Sequence, residues 1–145
     1  MKSFVTVLPL VLGMASSALL ADTPSNPLDS ERWRSRPLIV VAPNASDATW
    51  RRFQQDLMKP ANREAFIERE MVLYTVVEGV GQRNGQPLEP QATSALMSAL
   101  GVQPNGPTRL LLVGKDGGTK VDQGAPLDAG AIFAIIDKMP MRGNR

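Results

Sequence analysis

Three stretches of the chain are apolar almost without a break: Leu38 to Ala42 (LIVVA), Met71 to Val77 (MVLYTVV) and Arg109 to Val113 (RLLLV). Each is too short for a buried helix and rich in branched residues, which predicts strands covered on both faces. Between them the period changes to a helical one. After Ser46 and Asp47, either of which can cap a helix, Trp50, Phe53 and Leu57 recur along one side, with Arg51, Arg52, Gln54 and Gln55 on the wet side. Pro60 ends or kinks that helix and suits the first turn of a second piece, running to about Arg69. A short helix over Gln91 to Leu100 carries Ala92, Ala95, Leu96 and Ala99 on one side. Gly101 stops it, and Val102 can fold back on it. GKDGG, from Gly114, predicts a hairpin turn into a partner strand at Thr119 to Asp122. Asp128 can cap a last helix with Ile132, Phe133, Ile135, Ile136 and Met139 as its apolar face, closed by Pro140. EGVGQRNGQPLEP, from Glu78 to Pro90, reads as a flexible crossover loop.

The element order is therefore β-α-β-α-β-β-α. A strand–helix–strand unit of this kind is nearly always right-handed and parallel. The fold class expected is a single thioredoxin-like α/β domain, a central mixed sheet flanked by helices, over residues 36–142. A polar arm, residues 22–35, precedes it. In that arm Trp33 stands among Arg32, Arg34 and Arg36. This could be a cation–π or phosphate-binding patch. The reading we favour is that Trp33 and Leu28 pin the arm to the domain.

Residues 1–21 differ from the rest. Lys2, the apolar run from Phe4 to Leu12 and the small residues Ser16, Ser17, Ala18 and Ala21 predict a secretory signal peptide cut after Ala18 or Ala21. The run is shorter than the roughly 20 apolar residues of a membrane span. The expectation is a protein exported to the periplasm or secreted, with no transmembrane segment after cleavage. Charge changes this picture little. The pI is about 9.3, yet the formal net charge is only +2 with no His, so a small basic excess moves the pI far. No nucleic-acid partner is expected from so mixed a charge pattern.

The candidate chemistry is defined mostly by what is missing. There is no Cys and no His among the 145 residues. Thiol redox chemistry and a Ser-His-Asp triad are excluded, and neither a metal site nor any cofactor is expected. The thiolate of a thioredoxin-type site belongs at the start of the first helix, where this chain has APNASDA. GVGQRNG has glycines after a strand, but Pro87 and Pro90 intervene before a helix can open, which disfavours a dinucleotide loop.

NPLDSERWRSRPLIVVAP (Asn26 to Pro43), LLLVGKDGGTKV (Leu110 to Val121) and FAIIDKMPMR (Phe133 to Arg142) together resemble the domain-of-unknown-function 4174 family. The resemblance implies a thioredoxin-like fold and small exported bacterial proteins, with a similar domain in secreted animal matrix proteins. It transfers no active site. GPTRLLLVGKDGG, from Gly106, is similar to the thioredoxin segment that carries a cis-proline, which would be Pro107. The function expected is a non-catalytic module binding a peptide or an envelope protein. Its candidate surface is Asn44, Ser46, Asp47 and Trp50 at the first strand–helix junction, with Gly106 and Pro107 beside it. The alternatives are a structural or stress-related accessory protein and an enzyme using Ser, Asp or Lys chemistry.

Overall fold

The structure is a computed structural model describing residues 25–140. The signal-peptide reading of residues 1–21, the first residues of the arm and the domain's last two residues, 141–142, lie outside the described residues. A 3-10 turn at Pro27–Glu31 leads into β1 (Arg36–Ala42), α1 (Ala48–Met58), α2 (Pro60–Glu68) and β2 (Met71–Val77). There follow β3 (Val80–Arg83), β4 (Gln86–Pro87), α3 (Pro90–Leu100), β5 (Arg109–Val113), β6 (Thr119–Gln123) and α4 (Ala129–Asp137).

Every residue of β1 is buried. Its side chains alternate between two cores, as a pleated strand requires. Leu38, Val40 and Ala42 pack with Trp50 and Phe53 of α1 and with Ile132, Phe133 and Ile136 of α4. Ile39 and Val41 pack on the opposite face with Leu28, Leu96 and Met97. β1 pairs in parallel with β2, from Arg36 opposite Met71 to Ala42 opposite Val77. On its other side it runs antiparallel to β5. The sheet order is β4-β3-β2-β1-β5-β6. The four strands β2-β1-β5-β6, with helices on both faces, make a mixed α/β domain consistent with the expected thioredoxin-like fold.

The helix limits follow local chemistry. Asp47 caps α1, its carboxylate accepting from Trp50 N–H at 2.9 Å. Pro60 opens α2 instead of continuing α1. Arg69 then ties α2 to α4 through two hydrogen bonds to Asp137, 3.0 and 2.8 Å, while its guanidinium lies 4.9 Å from the centre of the Phe133 ring.

Three expectations need correction. The segment from Glu78 to Pro90 is not a flexible loop: it contains β3 and β4. Val77 pairs with Val80, and Arg83 with Gln86, so each hairpin turns in two residues. Those residues, Glu78-Gly79 and Asn84-Gly85, all have positive φ, the requirement of a type I′ turn. Ile135 is 37% exposed, because the stripe through Ala129, Ile132, Phe133 and Ile136 already fills the sheet face and Ile135 lies on its border. Leu28 does pin the N-terminal segment, but Trp33 is exposed, with φ 65°, and Arg36 is buried in β1. Arg36 is therefore withdrawn from Trp33, and Arg32 and Arg34 stay exposed beside it.

Gly81 of β3 has a separate constraint. A Cβ there would lie 2.2 Å from Thr93 Oγ1 of α3 and 3.0 Å from Thr93 Cγ2. The close approach of strand to helix explains why a glycine stands at this position. Gly81→Ala is expected to lower stability by about 1–3 kcal/mol. Adding Thr93→Ala to that variant should recover part of the loss, read as the denaturant midpoint. An unmoved midpoint in Gly81→Ala would contradict the packing of α3 on β3.

Candidate functional site

The junction after β1 and the segment before β5 meet in space. Thr108 Oγ1 donates to Asp47 Oδ2 at 2.5 Å, and Thr108 is buried. This second bond, together with the cap bond to Trp50 N–H, holds the Asp47 carboxyl below the usual aspartate range; the Thr108 bond is the larger cause. Asn44 Oδ1 accepts from Ser46 N–H at 3.1 Å and from Ser46 Oγ at 2.9 Å, closing a local turn. Asn44 and Ser46 are exposed. Gly106 is half-buried, and Pro107 is exposed on a shallow depression shared with Arg109 and Asp122. The cis bond of the described residues is Ala125–Pro126, so Pro107 is not the cis-proline expected. The polar side chains of the junction are thus occupied largely with one another.

Trp50 points to a different place. It lines a groove of about 460 Å³ to which Asn44, Ser46, Asp47 and Pro107 contribute nothing. One wall is helical: Leu57 and Met58 of α1, Phe66 and Ile67 of α2. The floor and far wall come from Met71, Leu73 and Thr75 of β2 and Gln82 of β3. Met58 is 65% exposed and Ile67 75% exposed, so the rim is apolar and open to water. Val80, on the same face of β3 as Gln82, is exposed as well and extends the apolar surface beyond the groove. The polar lining is sparse. Arg63 is the one charged side chain in it, and neither it nor Gln54 or Gln82 has a side-chain partner among the described residues. Mostly apolar walls with a few free polar groups are the ordinary make-up of a ligand site.

Met58, Phe66 and Ile67 did not emerge from the sequence pattern. A signal was there: Leu57-Met58 and Phe66-Ile67 are adjacent apolar pairs, and one helical stripe cannot bury both members.

Perturbed acids lie elsewhere. Glu31 is buried. Its Oε1 accepts from Tyr74 Oη at 2.8 Å and from Arg83 Nε at 2.7 Å, and its other oxygen accepts from Ser35 Oγ. Burial pulls its carboxyl upward, but the bonds from Arg83, Ser35 and Tyr74 together outweigh that and leave it below the usual glutamate range. Burial, reinforced by the Glu31 carboxylate, pushes the Tyr74 phenol up. All of these groups are spent on each other, and none lines the groove. Among the described residues no three acidic side chains gather as metal ligands, and no helix is long and apolar enough to cross a membrane.

The geometry defines a cysteine-free α/β domain with an open apolar groove on one helical flank. The chain belongs to the family described as Domain of unknown function (DUF4174), whose model matches residues 27–145. No curated protein and no solved structure matches it.

The Glu31 network makes stability depend on acid. A carboxyl held lower in the folded state than in the unfolded one contributes fully above the unfolded value, about 4.3 for Glu, and the contribution is lost as pH falls through the folded value. Glu31→Gln should therefore be less stable than wild type at neutral pH, by about 1–3 kcal/mol, with the gap narrowing below about pH 4. Arg83→Ala should cost less, since the Arg83 side chain is 45% exposed and its ion pair with Glu31 is partly screened by water. Chemical denaturation across the acid range checks both, and a pH-independent gap would contradict the charged state of Glu31.

Proposed function

We propose that this chain is an exported, non-catalytic binding module, and that its recognition surface is the groove between the α1–α2 layer and the β2–β3 hairpin. The observation that carries the reading is the exposure of Met58 and Ile67 at the mouth of an apolar groove with a tryptophan in its wall. Isolated exposed apolar residues mean little, but several around one concavity mark an interaction site. Methionine suits such a surface because its flexible thioether fits partners of varied shape. Catalysis has less support. The groove holds no acidic side chain, and the chain has no His or Cys to serve there. The export part of the proposal rests on the apolar N-terminal run after Lys2 and the small residues before Asp22. The envelope is where a peptide or protein partner would be met.

The test is selection of a random octapeptide library on the immobilised protein. Clones should be enriched on wild type and lost on Met58→Asp/Ile67→Asp. Both side chains are exposed, so that variant should keep its far-UV spectrum, and its unfolding free energy should change by no more than about 0.5 kcal/mol per site. Clones that bind both proteins equally would remove the groove from the function.

A further inference from the structure

The chemistry of the groove narrows what it would hold. This inference rests on the reading of the groove as the recognition surface. Leu57, Phe66 and Leu73 offer apolar contact within it, and Met58 and Ile67 extend that contact at the rim. Against this apolar background stands one charge, the Arg63 guanidinium on α2, without an ion-pair partner among the described residues. Lys59, near it in sequence, is taken up by Asp56 at 3.2 Å, and Arg69 by Asp137. An apolar partner with a carboxylate in register would meet Arg63 and complete its hydrogen bonding, as guanidinium and carboxylate pair in a planar, two-bonded geometry.

A second feature separates a peptide from an acyl chain. Gln54 of α1 and Gln82 of β3 both line the groove, one from its helical side and one from the sheet. Each side-chain amide has both donors and an acceptor, the complement of a main-chain N–H and C=O. A hydrocarbon tail would leave both amides to water and would gain nothing from them. A peptide main chain between the walls can use both while its side chains enter the apolar floor.

We infer that the groove binds a peptide segment in which apolar residues flank an aspartate or glutamate, the acidic side chain pairing with Arg63. Clones selected on wild type should carry Asp or Glu beside Leu, Ile, Phe or Met. A synthetic peptide of the leading sequence should bind Arg63→Glu at least about tenfold more weakly than wild type. The difference should shrink as NaCl rises from about 0.05 to 0.5 M, because the pair lies at an open groove where salt screens it. Arg63 is exposed, so its replacement should leave the fold intact. Replacing the peptide's acidic residue by Gln should remove the difference between the two proteins.

The outcomes are separable. If clones need Met58 and Ile67 but lack acidic residues, or bind Arg63→Glu as well as wild type, the acidic-peptide assignment is overturned and the groove reading stands. If no clone depends on Met58 and Ile67, both fall. Dodecanoate displacing the peptide and binding more tightly than any selected sequence would assign the groove to an acyl chain and overturn the inference. So would a concentration-dependent dimer abolished by Met58→Asp/Ile67→Asp, which would make a second copy the occupant.

Discussion

The structure depends on β1 being buried on both faces. A strand with Leu38, Val40 and Ala42 on one side and Ile39 and Val41 on the other cannot sit at an edge or face water. It must have a neighbour on each side and a layer above and below. β2 and β5 supply the neighbours. On one face α1, α2 and α4 supply the cover, and on the other α3 and the turn at Pro27–Glu31 do so. The helical layer packs on β1, β5 and part of β2, while the sheet runs on through β3 and β4. Where the layer stops short, Leu73 is half covered and Val80 is bare. The groove is this shortfall. It is the boundary of a helical layer smaller than the sheet it covers.

The opposite face of the same hairpin is closed by different means. There Gly81 lets Thr93 of α3 approach the strand, and Arg83 reaches Glu31 of the N-terminal turn. Tyr74 from β2 joins the same carboxylate. A buried carboxylate is costly unless nearly all its oxygen lone pairs are used, and Glu31 has three donors. The network fixes the N-terminal segment to the hairpin and so sets the β2–β3 floor that the groove uses. A hydrogen-bonded network behind the floor and exposure in front of it suit a preformed surface.

Much of this fold was legible in the sequence because its rules are local. The strands at 38–42, 71–77 and 109–113, the Asp47 and Asp128 caps and the Gly101 stop follow from side-chain periodicity and backbone chemistry within a few residues. The β3–β4 hairpin was legible too, in Asn84-Gly85, but its flanks are too polar and Gly-rich to look like strands. Ile135 and Trp33 depended on how much sheet surface remained to be covered, which no local pattern records. Glu31 was hidden for the opposite reason: an acidic residue in a polar arm reads as solvated, and only the meeting of Tyr74, Arg83 and Ser35 makes its burial tolerable. Asp47 and Thr108 are in contact, so the start of α1 and the segment before β5 meet. What sequence reasoning could not reveal is that this contact leaves the polar groups largely satisfied, while Trp50 opens onto the other flank of its helix.

The central claim is that recognition has its seat on the flank of α1 and not at its start. Methyl and amide NMR of the labelled protein, titrated with a selected peptide, separates the two directly. The account predicts shifts at the Met58, Ile67 and Leu73 methyl groups and the Trp50 indole, with the amides of Asn44 to Asp47 and of Gly106 and Thr108 unmoved. Shifts concentrated at those junction amides, with the Met58 and Ile67 methyl groups still, would contradict it.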